Sequence, residues 1–241
     1  MDFSLYITKT NSYLEKMFIE KGYTDFEFYN WSKRNIKDGW LIYDIGANIF
    51  EYTEIFARLS GPNSTVYSFE PQHQLFDNYL TAKKSNDYTN AAKIIAFNFA
   101  LGDNQESKEL RIPKFNLGGA SISEGFKQYQ DDLGLTETIT ETIQVKRADS
   151  LDLPKQIPNL IKIDIEGYEL QAWQGFTEAM KQAKIIIAEV GPYTEIELLE
   201  EYFKNRKAYD LQDNPMLAQN PESMVKFLYK NKHRQYNVVF R

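Results

Sequence analysis

The sequence predicts a doubly wound α/β domain built on a mostly parallel sheet, and three observations predict it. Short apolar runs rich in β-branched residues alternate with segments of helical period, the pattern of βαβ units. The runs LIYDI and IIIAEV are continuously apolar, as expected of strands covered on both faces. The first unit reads residue by residue as strand, glycine turn and helix.

The expected strands are Trp40–Ile45, Thr65–Phe69, Lys93–Leu101, Leu160–Ile165 and Lys184–Val190, with helices over Ile49–Leu59, Gln72–Lys83, Glu169–Lys181 and Thr194–Asn205. In the first unit the strand ends at Asp44 and Gly46-Ala47 turns the chain. Asn48 is placed to cap the next helix, with Glu51 as its capping-box partner. Ile49, Tyr52, Phe56 and Leu59 form its apolar face, and Gly61-Pro62 stops it. Residues 1–39, with a helix over Asn11–Lys21 and the aromatics Phe26, Phe28, Tyr29 and Trp31, read as a cap on a main domain spanning 40–241. Within that domain, 104–150 reads as an insertion. It carries short strands (Lys108–Ile112, Thr140–Lys146), a Gly118-Gly119 pair and a polar stretch at Gln128–Asp132, which suit a lid or substrate loop. Asn237–Phe240 reads as an edge strand.

Composition narrows the function. With 241 residues, 42% hydrophobic and 26% charged, the chain can bury its own core. A net charge of −6 disfavours a nucleic-acid partner, which would call for a basic excess. There are no cysteines and two histidines, His73 and His233, so thiolate chemistry and a histidine metal cluster are not expected. The N-terminus has no signal-like apolar core, and no run nears the ~18 apolar residues of a membrane span. A cytoplasmic location is the expectation.

The acids fall at strand ends: Asp44 ends the first, Glu70 the second, Asp103 follows the third, Asp164 and Glu166 end the fourth, and Glu189 ends the fifth. Ligands of open α/β sheets bind outside the carboxyl ends of the strands. An acidic rim there attracts a cation and repels phosphate, which favours S-adenosylmethionine over a dinucleotide. Gly46 permits a close turn beside the ligand. Asp44 is placed to stabilise the cationic methionine portion, Glu70 to accept from ribose hydroxyls, and Asp103 to reach the adenine side. Lys162, Asp164 and Glu166 alternate with isoleucines, and period two would set all three on one face. A lysine inside a central strand needs an acid partner, so Lys162 is expected against Asp164, Glu189 or another acid.

Together the segments LIYDIGANIFEYT, VYSFEP, FALGD, GGASI, LIKIDIEGYEL and IIIAEV resemble, in order, the FkbM-type methyltransferase family from about residue 40 to about 190. The resemblance implies a class I methyltransferase fold of seven strands with the last antiparallel, and O-methylation of a hydroxyl on a sugar, glycan, polyketide or other secondary metabolite. It sets Asp44, Gly46 and Asn48 on the first cofactor motif, Glu70 on the ribose acid and Asp103 on the acid of the third motif. Asp164 and Glu166 fall on the motif facing the methyl, and Ser121 on a loop near the substrate. The family usually has glycine where this chain has Phe50, so a ring is expected beside the cofactor, narrowing its site.

The expected chemistry is in-line attack of a substrate hydroxyl on the sulfonium methyl. Asp164 is the first choice of base, with Glu166, Lys162 and His73 as alternatives. A divalent metal held by Asp164, Glu189 and substrate oxygens is conceivable, and a metal-free site is preferred. Two rival readings remain. An NAD(P)-dependent oxidoreductase would want G-x-G-x-x-G, where this chain has one glycine. A methyltransferase-like binding module without turnover rests on Phe50.

Overall fold

The computed structural model describes Leu5 and residues 24–114, 116–132, 134, 136–232 and 234–241; the Asn11–Lys21 helix and His233 lie outside them. Helix α1 (Phe26–Asn35) begins at Asp25, whose carboxylate accepts the Phe28 N–H at 3.0 Å. Strand β1 (Leu41–Ile45), helix α2 (Glu51–Ser60), strand β2 (Thr65–Phe69), helix α3 (His73–Lys83) and strand β3 (Lys93–Phe97) follow. Each strand matches an expected run to within a residue at its start, because an uninterrupted apolar segment has no partner but a doubly covered sheet.

The long run Lys93–Leu101 divides. Strand β3 stops at Phe97, and the Asn98 side chain donates to the carbonyls of Glu70 and Pro71. The chain then leaves the main sheet, so that β4 (Ala100–Leu101) joins β5 (Glu106–Pro113) and β6 (Thr138–Lys146) in a second sheet of order β4-β6-β5. Helix α4 (Glu124–Asp132) follows β5 and precedes β6 in the chain. Strand β7 (Leu160–Ile163) returns to the main sheet. The expected Glu169–Lys181 helix is two, α5 (Glu169–Gly175) and α6 (Thr177–Gln182), separated by Phe176 in a non-helical conformation. Gly175 has no Cβ to strike the Gly102 carbonyl, against which its backbone packs. Strand β8 (Ile185–Val190), helix α7 (Ile196–Phe203), strand β9 (Ala208–Tyr209), helix α8 (Pro221–Lys230) and strand β10 (Tyr236–Phe240) complete the fold.

The main sheet has the order β3-β2-β1-β7-β8-β10-β9, parallel except for β10, which is antiparallel to both neighbours. This is the expected seven-stranded, doubly wound sheet with its last strand antiparallel. One detail differs: β10 is internal, and β9 is the edge. Val238, Val239 and Phe240 are fully buried, which an edge strand would not require. Successive residues point to opposite faces. Tyr43, Ile161 and Ile186 join a core under α5 to α8, while Ile42, Leu160 and Ile187 join one with Phe28, Trp31 and Phe56 of α1 and α2. Among the described residues no helix is long and apolar enough to cross a membrane.

Candidate active site

A cleft enclosing about 630 Å³ opens at the carboxyl ends of β1, β2 and β7. Gly46, Asn48 and Glu70 form one side, Asp164 and Glu166 another, and Leu110, Ile143 and Ser121 close it from the second sheet. No Lys, Arg or His among the described residues lines it.

The turn after β1 is set by two contacts. The N–H groups of Gly46 and Ala47 both donate to the Phe69 carbonyl at 3.0 Å. Gly46 has φ 81°, and a Cβ there would collide with the Asp164 carbonyl oxygen. The expected capping box is absent. Asn48 and Phe50 are both left-handed (φ 53° and 62°), and the residue before α2 is Phe50, with no side-chain cap. The Asn48 N–H donates to Glu70 Oε2 at 2.7 Å, and Glu51 instead accepts from the backbone N–H and hydroxyl of Thr24. Asn48 lines the cleft, and its Oδ1 is buried without a partner among the described residues.

Phe50 does not narrow the cleft. Its ring is fully buried and stacks on Tyr79 with centroids 3.9 Å apart, in the core between α2 and α3. The left-handed backbone turns the side chain there, and it explains why glycine suits this position.

Behind the turn lies a buried charge network. Lys162 Nζ donates to the Gly46 carbonyl at 2.8 Å and lies 3.4 Å from Asp164 and 3.7 Å from Asp44. Asp44 Oδ2 accepts from the Thr53 hydroxyl at 2.6 Å, which also meets Ser68. Burial pushes the Asp44 carboxyl up, opposed by Lys162 and Thr53. Burial disfavours the Lys162 charge, yet Asp164 and Asp44 outweigh it and raise that pKa. Neither Asp44 nor Lys162 lines the cleft. They hold its floor.

Period two ends at Asp164. Glu166 is left-handed (φ 55°), and the Glu169 carboxylate accepts from the N–H groups of Ile165 at 2.9 Å and Gly167 at 3.0 Å. This clamp turns Glu166 off the strand line while Asp164 keeps the Lys162 face. The Ser121 hydroxyl donates to the Glu166 carbonyl at 2.6 Å, so Ser121 ties the second sheet to this loop. Glu166 Oε2 accepts from Gln235 Nε2 at 2.8 Å, as does Glu189 Oε2; Tyr193 and Gln235 are themselves hydrogen-bonded at 2.7 Å.

Asp164, Glu166 and Glu189 thus converge, each offering an oxygen within 4.8 Å of the others, donor chemistry suited to a hard divalent cation. Burial raises Glu166, reinforced by Asp164, and raises Glu189, reinforced by Asp164 and Glu166. Burial also holds Glu70 and Glu169 at about 7, against the N–H groups that each accepts.

Asp103 stands apart. It is not in the cleft wall, because the chain has by then crossed into the second sheet; its carbonyl is held by Arg147 at 2.6 Å. Glu189 joins the acid cluster but not the cleft wall. His73 sits at the start of α3, with its ring against Glu141 of β6. Sequence reasoning missed Glu169, Asn98, Tyr193 and Gln235. Glu169 had a local signal, an acid beyond Gly167 that can fold back on the loop. Gln235 had none, since only the insertion of β10 beside β8 brings it to Glu189.

A family profile described as the methyltransferase FkbM domain matches residues 44–237. A hexuronic acid methyltransferase, AglP, of Haloferax volcanii is 24% identical over 152 residues, covering 62% of this chain and 55% of that protein. The chain therefore spans about half the length of that relative. A methyltransferase FkbM structure from Methylobacillus flagellatus is similar with a TM-score of 0.46 and 16% identity, over 98% of this chain and 48% of the other. A TehB-like methyltransferase structure from Corynebacterium glutamicum gives a TM-score of 0.44 and 10% identity, over 94% and 92%.

Proposed function

The chain belongs to the methyltransferase FkbM domain family, and on that premise we propose that it transfers a methyl group from S-adenosylmethionine to a hydroxyl of a sugar or related metabolite. The observation that carries this reading is a cleft lined by Glu70, Asp164 and Glu166 and by no basic side chain among the described residues. Such a wall suits a cationic, phosphate-free nucleoside and opposes a pyrophosphate. The fit is specific at two points. Glu70 spends one lone pair of each oxygen on the Asn48 and Gln72 N–H groups, and its other lone pairs suit ribose hydroxyls. The apolar wall of Leu101, Leu110 and Ile143 gives a purine ring its surface.

When bound, S-adenosylmethionine supplies an electrophilic methyl on sulfur. Asp164 presents a carboxylate on the cleft wall to balance the positive charge. Glu166 is the better base of the two, because burial raises its proton affinity, whereas Asp164 is already paired with Lys162. Glu166 would take the proton of the substrate hydroxyl at its carboxylate. The Gln235 amide, bonded to Glu166 and Glu189, holds the two acids together, so the proposed transfer assigns no step to a metal. The named activity of the hexuronic acid methyltransferase supports a sugar acceptor.

Isothermal titration should show binding of S-adenosylhomocysteine and none of NADH. Heat with NADH alone would favour the oxidoreductase reading. Glu166→Gln should lower kcat by about 10²–10⁴-fold; full turnover in that variant would remove Glu166 as base.

A further inference from the structure

Beside the cleft, and sharing Ser121 and Ile122 with it, lies a second chamber of about 480 Å³, partly open to solvent. Its walls come from the insertion: Arg111 of β5, Thr140 of β6, Ser123, and Lys127 and Gln130 of α4. Ser121 joins the two spaces. Its backbone pairs in both directions with Arg111, and its hydroxyl holds the Glu166 carbonyl. The chamber therefore adjoins the proposed base.

Two residues of its wall each carry a buried polar atom without a partner among the described residues. Gln130 is 1% exposed; its Nε2 donates to the Gly119 carbonyl, and its Oε1 is buried with no partner among the described residues. Arg111 binds Asp131 through Nη2 at 2.6 Å, while its Nη1 is buried and unpartnered among the same residues. Buried polar atoms without partners are uncommon in folded proteins, and an acceptor and a donor on two residues of one wall are the complement of a hydroxyl, which donates and accepts at once. A carboxylate only accepts and would leave Gln130 Oε1 unmet.

The charges point the same way. Arg111 is neutralised by Asp131 and Lys127 by Glu124 at 3.7 Å, and Glu109 is a further acid in the wall, so the chamber has no surplus positive charge. We infer that this chamber is the acceptor subsite and takes a neutral polyhydroxylated ring, one hydroxyl of which donates to Gln130 Oε1 and accepts from Arg111 Nη1. This rests on the methyl-transfer reading and narrows it, since a uronate would bring charge that the chamber does not neutralise.

The test uses the full chain saturated with S-adenosylhomocysteine, its side-chain amide signals followed by nuclear magnetic resonance. The probes are methyl glucopyranoside, methyl galactopyranoside and methyl mannopyranoside, each set beside its hexuronate. A neutral glycoside should shift the Gln130 amide signals. Gln130→Leu should weaken that glycoside about tenfold or more, a loss of about 1.4 kcal/mol. Thr140→Trp, an exposed position on the chamber wall, should block the glycoside by filling the space, and both variants should still bind S-adenosylhomocysteine. If no neutral glycoside moves the Gln130 signals, if the hexuronates bind in preference, or if both variants bind like the parent chain, the subsite assignment falls and methyl transfer stands. If S-adenosylhomocysteine does not bind the parent chain, the methyl-transfer reading falls first.

Discussion

Lys162 donates its ammonium proton to the Gly46 carbonyl at 2.8 Å, which ties central strand β7 to the turn after β1. The same ammonium lies 3.4 Å from Asp164 and 3.7 Å from Asp44, so one cation joins the backbone of the turn to two acids. Lys162→Met keeps the length of the side chain and removes that link. Breaking a buried pair from one side strands the other charge, and the expected loss is about 3–5 kcal/mol in denaturant unfolding. Pairing Lys162→Met with Asp44→Asn should recover part of it. A Lys162→Met chain as stable as the parent would mean that the network carries no stability.

Gly46→Ala tests the turn itself. A methyl group there meets the Asp164 carbonyl at a backbone conformation that L-residues avoid, so the turn must open. The expected result is at least about 1–3 kcal/mol of destabilisation and loss of S-adenosylhomocysteine binding by titration calorimetry. Retained affinity would show that the turn does not shape the cofactor site.

Phe50 separates stability from binding. Phe50→Gly relieves a left-handed backbone but removes a fully buried ring from its stack on Tyr79, and large-to-small core changes of this kind cost about 3–5 kcal/mol. The melting temperature should therefore fall. Below the melting transition, affinity for S-adenosylhomocysteine should stay unchanged, because the ring is not in the cleft wall. A gain in affinity in Phe50→Gly would show that the ring does restrict the site.

The buried acids predict a pH dependence of stability with a definite sign. Glu70 and Glu169 sit at about 7 in the folded chain, raised by burial from 4.5. Between those values the folded state holds more protons than the unfolded one, so stability falls as pH rises. Without cofactor, the melting temperature should decline from pH 5 to pH 7.5, and Glu169→Gln should flatten the slope. A rising curve would mean that the N–H donors of Ile165 and Gly167 outweigh burial at Glu169.

Much of this protein follows from local sequence pattern. The parallel strands are continuous apolar runs, the two helical layers follow from helical period between them, and the acids at the strand ends follow from strand length. These are short-range properties, set by a residue and its near neighbours. Gly46 also reads directly, since a tight turn after a strand favours a residue that tolerates positive φ.

Tertiary structure decided the rest. Phe50 reads as a wall of the cofactor site until a left-handed backbone turns its ring onto Tyr79. Asp103 reads as an adenine contact until Asn98 ends β3 and the chain crosses to a second sheet. Gln235 carries no signal in its own segment, yet strand order sets it between Glu166 and Glu189. Pattern determines which segments become strands and helices because each responds to burial on its own. Which side chains meet depends on sheet order and loop path, which minimise unpaired charge and empty space over the whole domain.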